Sequence, residues 1–227
     1  MLSIVIPTLN AAAKLADTLD RLALGVGESG AEIIIVDGGS TDASLAIAEA
    51  KGAKIISAER GRGGQLAAGA KAAGGDWLLF LHADTVLSAG WPGEAEAFMA
   101  RPVSAMRAGV FRLAFDDNAP AARRLEAVAA WRARLLGLPY GDQGLLIGRE
   151  FYQSIGGFRA IPLMEDVDLA RRIGRRRFVY FNARAETSAA RYHRSGYLRR
   201  SARNLVCLGL YFLGVKPRFL LRLYGSS

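Results

Sequence analysis

The sequence predicts an α/β domain built on a mixed, mainly parallel β-sheet with helices on its faces. In the first half of the chain, short β-branched runs alternate with segments whose apolar residues recur at helical spacing, which is the pattern of βαβ units. These runs also lack the alternation of polar and apolar residues expected of a strand with one solvated face. They therefore predict strands that are covered on both sides.

Strand-like runs and helical segments follow one another in order through the first 81 residues. Strands are expected at 3–6, 32–36, 54–57 and 77–81, and helices at 11–24, about 40–51 and 65–73. Asn10 is the expected cap of the first helix, and the segment Ser40-Thr41-Asp42 is the expected cap of the second. Because a helical segment separates each strand from the next, these four strands should be parallel.

The second half of the chain is more varied in pattern. Strands are expected at 107–115, 144–147 and 178–182, and helices at 118–136, 165–173 and 197–215. The last of these helices is apolar with basic flanks. We expect one domain over residues 1–196, followed by a basic, apolar helical extension at 197–227.

Composition limits the class of protein. The chain has 227 residues, of which 51% are hydrophobic, so it can bury a core and is not disordered. Its single cysteine, Cys207, excludes an internal disulfide. The N-terminal MLSIVIPTLN lacks the basic region of a signal peptide, and no uncharged stretch reaches the roughly 18 residues of a membrane span. A cytoplasmic location is expected.

Positive charge is concentrated near the C-terminus. Residues 171–227 contain thirteen arginines, one lysine and one acid, Glu186, whereas residues 1–170 contain sixteen bases and twenty acids. The asymmetry indicates an anionic partner, which could be the phosphates of a small ligand, an anionic membrane surface or nucleic acid. Nucleic acid is the least favoured of the three. A solvated basic face is the alternative.

Polar residues follow three of the expected strands. They are Thr8 and Asn10 after the first strand, Asp37 after the second, and His82 and Asp84 after the fourth. In an open parallel sheet, ligands bind beyond the carboxyl ends of the strands. Each residue alone could be a helix cap or part of a turn, but together they predict a binding site at this edge.

The same segments carry a family resemblance. SIVIPTLNAA, IIIVDGGSTD and GDWLLFLHADT, in this order, resemble family 2 glycosyltransferases of the GT-A type. The resemblance covers residues 1–85 and continues through GDQGLLIGREFYQSIGGF and LMEDVDLARRI at 141–173. Within the family, the chain is most similar to small bacterial members that have His-Ala-Asp where others have Asp-x-Asp. A GT-A fold is implied, with a nucleotide-binding half at 1–100 and an acceptor-binding half at 101–196.

The resemblance implies metal-dependent, inverting transfer of a sugar from a UDP- or GDP-sugar to an acceptor hydroxyl. Asp84 matches the family's metal-binding aspartate, and His82 replaces the first aspartate of the motif. An imidazole ligand favours Mn²⁺ over Mg²⁺. His193 resembles the late histidine that completes the metal shell. Arg191 and Arg194, which flank it, are implied contacts of the diphosphate.

The resemblance also assigns the catalytic acids and the substrate contacts. Asp166, with its neighbour Glu165, matches the acidic pair that supplies the base for the acceptor hydroxyl. Asp37 can accept a hydrogen bond from an imide N–H, which uracil has and cytosine lacks, and guanine also offers N–H donors. The expected donor-nucleotide contacts are Pro7, Thr8, Asn10, Asp37, Arg62, Gln65, His82 and Ala83, and the expected acceptor or diphosphate contacts also include Gly141, Asp142 and Gln143.

The sequence argues against two other classes of enzyme. A sugar-phosphate nucleotidyltransferase needs a glycine-rich, arginine-bearing loop after the first strand, where this chain has Pro7-Thr8-Leu9-Asn10. A haloacid-dehalogenase-type phosphatase is excluded because His82 stands where its nucleophilic aspartate would be. A non-catalytic binder at anionic membranes is a further alternative.

The C-terminal helix has more than one interpretation. It could lie in a membrane interface near a lipid acceptor, or it could pack on its own domain or on a dimer partner. A small metabolite is the other class of acceptor considered.

Overall fold

The computed structural model describes residues 1–26 and 30–224, apart from the side chains of Val26, Arg191, Arg194, Ser195, Leu198 and Tyr224. Within these residues the strands form one eight-stranded sheet of order β3-β2-β1-β4-β7-β6-β8-β5. The strands are β1 (Leu2–Thr8), β2 (Glu32–Asp37), β3 (Lys54–Ser57), β4 (Trp77–Phe80), β5 (Thr85–Leu87), β6 (Ala108–Phe115), β7 (Leu145–Gly148) and β8 (Phe178–Thr187).

Helices cover both faces of this sheet. The α-helices are α1 (Ala12–Val26), α2 (Ser44–Ala50), α3 (Arg62–Ala72), α4 (Trp91–Met99), α5 (Pro120–Leu136), α6 (Arg149–Ser154), α7 (Glu165–Ile173), α8 (Ala190–Ser195), α9 (Tyr197–Phe212) and α10 (Pro217–Tyr224). Short 3₁₀ helices lie at Pro102–Met106, Gly141–Gln143 and Arg175–Arg177.

The strand pairing confirms a mixed α/β sheet. Strands β3, β2, β1 and β4 run parallel to one another. Strand β7 is antiparallel to both β4 and β6, β8 is parallel to β6, and β5 is antiparallel to β8. The sheet is therefore continuous from the first half of the chain into the second.

The core lies in layers on both faces of the sheet. One layer includes Val5, Val36 and Phe80, and the other includes Ile4, Ile35 and Leu79, so neighbouring residues of each strand are buried on opposite faces. This two-sided burial is the physical reason why the strand sequences are almost continuously apolar.

Helix α3 lies unusually close to the sheet. A Cβ atom added to Gly69 would lie 2.3 Å from Val5 Cγ1 and 2.8 Å from Val36 Cγ2. Only a glycine at position 69 allows this approach. The close packing places the N-terminal residue of α3, Arg62, beyond the ends of β1 and β2.

Several short elements are absent from the expectations drawn from the sequence. Strand β5 and helices α4, α6 and α8 were not predicted, and β8 continues to Thr187 rather than ending at residue 182. The single helix expected at 197–215 is interrupted. It ends at Phe212, Gly214 adopts a positive φ of 88°, and α10 begins at Pro217.

The expected cap at Asn10 is not observed. The Oδ1 atom of Asn10 instead accepts the N–H of Thr41 at 2.8 Å. Asp42 takes the capping role, because its carboxylate accepts the N–H of Ala12 at 3.0 Å and that of Ser44 at 3.0 Å. One acid thus serves the first turns of both α1 and α2, although the N-cap position of α2 is Ala43, one residue beyond the expected capping segment.

The C-terminal helices pack on the domain. Cys207 and Leu208 of α9 and Leu220 of α10 are buried in the same core layer as Phe151 and Ile173. One side of the two helices therefore packs on the chain's own domain, which is one of the interpretations of this segment. Across the part of the chain that is described, every helix is too short or too polar to span a membrane.

Candidate active site

The carboxyl ends of β1 and β2 lie side by side, as their sequence predicted. Thr8 is paired with Asp37 in the register of the two strands. Both residues are buried, and the Asp37 carboxylate accepts the N–H groups of Gly39 at 2.9 Å and Ser40 at 3.1 Å. The turn after β2 is thus folded around the Asp37 side chain, which remains at the edge where a donor base was expected.

Gln65 holds these strand ends together. Its buried side-chain amide donates to the carbonyl of Thr8 at 2.9 Å and to that of Val36 at 2.8 Å. Both N–H groups of the amide are used by the backbone. Gln65 therefore positions the two strand ends, and its contact with a nucleotide stays a prediction.

Ala83 is also buried within the protein. Its carbonyl accepts the hydroxyl of Thr18 at 3.0 Å, which ties the end of β4 to α1. This contact fixes the chain between His82 and Asp84.

The loop before β7 meets the first turn of α7. The N–H of Gly141 donates to Asp166 Oδ2 at 2.9 Å. Beneath the loop, Gln143 is buried and donates to the carbonyl of Phe111 at 3.1 Å. Gly141 and Asp166 are thereby held together, and the Gln143 amide supports the loop from below.

His82 packs directly against this loop. A Cβ atom added to Gly141 would lie 2.7 Å from His82 Nε2 and 3.7 Å from Asp166 Oδ2. The absence of a side chain at Gly141 therefore lets the end of β4 approach the start of α7. His82 and Asp84, which follow β4, and Asp166, in the first turn of α7, therefore come to one place in the fold.

The acidic pair of α7 has two different environments. Glu165 is buried, and its Oε1 lies 3.2 Å from Arg62 Nη1. Burial raises the pKa of Glu165, and the Arg62 guanidinium opposes the rise. Asp166 is more exposed. Met164, which precedes the pair, has a left-handed backbone with φ of 65°, a conformation that is strained for a residue with a side chain.

Asp168, the third acid of this motif, is part of an ion-pair network. It lies 3.1 Å from Arg159 Nη1 and 2.5 Å from Arg172 Nη2. Its two oxygens therefore link α7 to the preceding loop. Glu165 and Asp168 thus both face arginines, whereas the Asp166 carboxylate accepts the backbone N–H of Gly141.

One cleft collects seven of the expected site residues, from both halves of the chain. Nine residues that were not predicted also line it: Phe115, Tyr140, Leu163, Met164, Thr187, Ser188, Tyr192, Arg200 and Asn204. Tyr192, Arg200 and Asn204 come from the C-terminal helices, and Tyr140 comes from the loop before β7. The expected residues in its wall are Arg62, His82, Asp84, Gly141, Asp142, Glu165 and Asp166.

His193 is placed outside this wall. Its exposed side chain lies 3.4 Å, Nε2 to Oδ2, from Asp117, and its ring makes an edge contact with Tyr197. The structure does not bring His193 to Asp84, contrary to the expected metal shell. The side chains of Arg191 and Arg194 lie outside the described residues.

Asp142 carries the most unusual electrostatics of the cleft. Its Oδ1 atom is sealed from solvent and accepts no hydrogen bond from the described residues. Burial raises the pKa of Asp142 to about 6, the carboxylates of Asp166 and Asp84 add to the rise, and Arg132 and Arg62 oppose it. An enclosed, unpaired carboxylate oxygen is a group that a ligand could satisfy.

We expect Asp142→Asn to stabilise the ligand-free protein at neutral pH. With an ordinary pKa of 3.8 and a folded-state pKa of about 6, ionisation of Asp142 favours the unfolded state as pH rises from about 4 through 6. The variant should gain at most about 3 kcal/mol in unfolding free energy at pH 7.5 and almost nothing at pH 4. Urea unfolding at both pH values, with a chelator present, measures this. An equal difference at the two pH values would contradict it.

Protein ligands for a metal ion are few in this cleft. Among the described residues, no three His, Cys, Asp or Glu side chains are grouped closely enough to hold an ion. Asp84 and His82 both face the cleft. Such a donor set fits a divalent cation that takes most of its ligands from phosphate oxygens of a substrate.

Comparison with known proteins assigns the family. The family model described as glycosyl transferase family 2 matches residues 3–165, which is most of the chain. The chain belongs to glycosyl transferase family 2. This membership does not support a nucleotidyltransferase or a non-catalytic binder.

Curated relatives match a shorter part of the chain. The PGL/p-HBAD biosynthesis glycosyltransferases of Mycobacterium bovis (strain BCG / Pasteur 1173P2) and Mycobacterium tuberculosis (strain ATCC 25177 / H37Ra) are each 42% identical to it over 95 residues. The match covers 38% of this chain and 36% of each relative.

Solved structures confirm the GT-A fold. Mannosyltransferase PcManGT from Pyrobaculum calidifontis, in complex with GDP-Man and Mn²⁺, has a TM-score of 0.66 and 16% identity, covering 100% of this chain and 65% of its own. S. aureus TarS 1-349 has a TM-score of 0.65 and 14% identity, covering 98% and 69%. Glucosyl-3-phosphoglycerate synthase from Mycobacterium tuberculosis, in complex with Mn²⁺, UDP and glucosyl-3-phosphoglycerate, has a TM-score of 0.55 and 20% identity, covering 83% and 70%.

Proposed function

We propose that this chain transfers a sugar from a nucleoside diphosphate sugar to an acceptor hydroxyl, with inversion at the anomeric carbon. The observation that carries the proposal is the placement of Asp166 and Asp84 in the wall of one cleft, on α7 and at the end of β4. The cleft also joins both halves of the sheet. It can therefore hold a donor beside the first half and an acceptor beside the second.

In the proposed reaction, Asp166 acts as the base. Its oxygens accept the N–H groups of Gly141 at 2.9 Å and Val167 at 2.7 Å, which fixes the orientation of the carboxylate. A carboxylate has about four acceptor positions, so an acceptor hydroxyl can still bind. Asp166 removes the hydroxyl proton while the oxygen attacks the anomeric carbon, and the bond to the diphosphate breaks on the opposite side. A single displacement of this kind inverts the anomeric configuration.

Asp84 and His82 are the proposed protein ligands of a divalent metal ion. When bound, the ion stabilises the negative charge that develops on the leaving diphosphate. The imidazole favours Mn²⁺ over Mg²⁺. Complexes of PcManGT and of glucosyl-3-phosphoglycerate synthase contain Mn²⁺, which supports this choice of ion.

The proposed donor carries uridine or guanosine. Asp37, at the end of β2, keeps acceptor capacity beyond its bonds to Gly39 and Ser40. It can therefore accept an N–H of uracil or guanine, and it discriminates against cytosine, which lacks the imide N–H. Complexes of TarS with UDP-GlcNAc and of PcManGT with GDP-Man are the corresponding cases among the similar structures.

The proposed acceptor is a hydroxyl of a lipid or a small metabolite, and the proposed location is the cytoplasm, with peripheral contact to the inner face of a membrane. Support comes from the C-terminal charge, since Glu186 is the last acid of the sequence and eight Arg or Lys residues follow it. An anionic surface is the partner that such a segment attracts.

Thermal unfolding with UDP, GDP and CDP, each with and without Mn²⁺, tests the proposed donor site. We expect UDP or GDP with Mn²⁺ to raise the melting temperature, because a ligand at 100 times its Kd adds about 2.7 kcal/mol. For a domain of this size that is roughly 5 to 10 °C. CDP serves as the control for base recognition. Equal shifts with all three nucleotides would contradict the role of Asp37, and no shift with any of them would contradict the donor site.

A further inference from the structure

Helix α9 has two apolar sides, and one of them faces solvent. Leu205 and Val206 are exposed at 69% and 56%, and Phe212 and Leu213 at 48% and 82%. These positions are spaced i, i+1, i+7 and i+8, so they form one stripe along the helix. The buried contacts of α9 are made by other positions, Cys207 and Leu208.

Helix α10 continues this exposed apolar surface. It contacts α9 and is anchored by Leu220, which is fully buried. Phe219, Leu221 and Leu223 remain 40 to 52% exposed. The seven exposed side chains of α9 and α10 are here called the C-terminal apolar face. An exposed apolar surface of this extent is uncommon on a protein that has no partner.

Cations accompany the C-terminal apolar face. Arg199 of α9, Arg218 and Arg222 of α10, and Lys216 between the two helices are exposed. The sequence contains no acidic residue after Glu186. The partner that covers this face must therefore be apolar and carry negative charge at its surface.

A second copy of the chain does not meet this requirement. A symmetric dimer through this face would place the same patch on both subunits, and so would bring its cations together without acids of the same segment to balance them. A bilayer that contains anionic lipids offers both an apolar interior and negative headgroups.

We propose that the C-terminal apolar face docks on the surface of an anionic membrane. Its apolar side chains enter the boundary between headgroups and acyl chains, and its arginines and lysine bind the headgroups. The other side of α9 contributes Arg200 and Asn204 to the cleft. Docking thus holds the cleft within about one helix diameter, roughly 10 Å, of the lipid surface. An acceptor hydroxyl on a lipid is then favoured over a soluble one, a consequence that rests on the proposed function.

Vesicle co-sedimentation of the full chain tests the docking. The test variant is Val206→Glu/Leu213→Glu, and its matched control is Leu24→Glu/Val103→Glu. The control residues are 79% and 57% exposed, close to 82% for Leu213 and 56% for Val206, and both variants add two negative charges. The control sites lie on α1 and on the 3₁₀ helix at residues 102–106. All four side chains point to solvent, so both variants should fold.

We expect the wild type and the control variant to bind vesicles that contain phosphatidylglycerol, and to bind pure phosphatidylcholine vesicles weakly. The test variant should lose roughly tenfold or more in partitioning to the anionic vesicles. Raised salt should weaken the binding of the wild type. Failure of the wild type to bind anionic vesicles, or equal losses in both variants, would overturn the proposal.

Two further measurements separate this proposal from others. Light scattering reports the oligomeric state, and a wild-type dimer that becomes a monomer only in the test variant would assign the face to a second copy and overturn membrane docking. Thermal shifts with UDP or GDP and Mn²⁺ should be the same in the wild type and both variants. Loss of vesicle binding with intact nucleotide shifts would therefore leave the donor site unaffected.

Discussion

Asp166→Asn should lower the rate of sugar transfer by about 10²- to 10⁴-fold and leave the affinity for the donor nucleotide within about twofold. An amide cannot remove the acceptor proton, and general-base catalysis contributes an effect of this size. The asparagine carbonyl can still accept the N–H of Gly141, so the loop should keep its place. The measurement is the initial rate of nucleoside diphosphate release from the donor sugar, with a lipid extract as the source of acceptor.

Asp168→Asn is the control for this experiment. It removes an acid two residues further along the same helix, where the carboxylate binds Arg159 and Arg172 rather than the cleft. It should lower the melting temperature, because two arginines lose their partner, yet keep the transfer rate well below that temperature. Similar rate losses in the two variants would mean that Asp166 acts only through the fold of α7.

The parallel half of the sheet was predictable because its strands are buried on both faces. Residues such as Ile34, Ile35 and Val36 are fully buried, and burial of this kind requires an uninterrupted apolar run that is visible in the sequence. Strand β5 has three residues and α8 has six. Segments this short do not show the hydrophobic periodicity by which a strand or a helix is recognised in a sequence. Their positions depend on pairing with β8 and on contacts with α9.

The position of the cleft was also predictable, but the roles of two buried glutamines, Gln65 and Gln143, were not. A glutamine at a strand end or in a loop can bind a ligand or a backbone carbonyl with the same atoms. Gln65 and Gln143 both donate to backbone carbonyls, which belong to Thr8, Val36 and Phe111. These carbonyls come near the two glutamines only after the sheet has formed, so the sequence does not reveal the contacts. These contacts join residues that are 29 to 57 positions apart.

The C-terminal contribution to the cleft was hidden for a related reason. Helix α9 is apolar on its buried side and on its exposed side, so its pattern does not show which positions face the domain. The sequence therefore did not predict that Arg200 and Asn204 line the cleft. The position of His193 depends likewise on Asp117, which is 76 residues earlier in the chain and comes close only through the packing of α8 and α9 against the end of β6.

Asp84→Asn should abolish the part of nucleotide binding that depends on metal. Asp84 is the proposed carboxylate ligand at the end of β4, and its loss removes a negative charge next to a divalent cation. With Mn²⁺ present, we expect UDP or GDP to bind roughly 100-fold more weakly, which corresponds to about 2.7 kcal/mol. Without metal, the affinity of the wild type and of the variant should be the same. Calorimetric titration in both conditions measures the difference.

His193→Ala is the informative comparison, because the sequence and the structure disagree about this residue. The family resemblance implies that His193 completes the metal shell, whereas in the structure it pairs with Asp117 away from the cleft wall. From the structure we expect the variant to keep metal-dependent binding. A loss as large as that of Asp84→Asn would require α8 to move when substrate binds and would bring His193 into the metal site. If Asp84→Asn itself binds nucleotide and Mn²⁺ like the wild type, the metal site at the end of β4 is wrong, and the diphosphate must then be held by the arginines of the cleft.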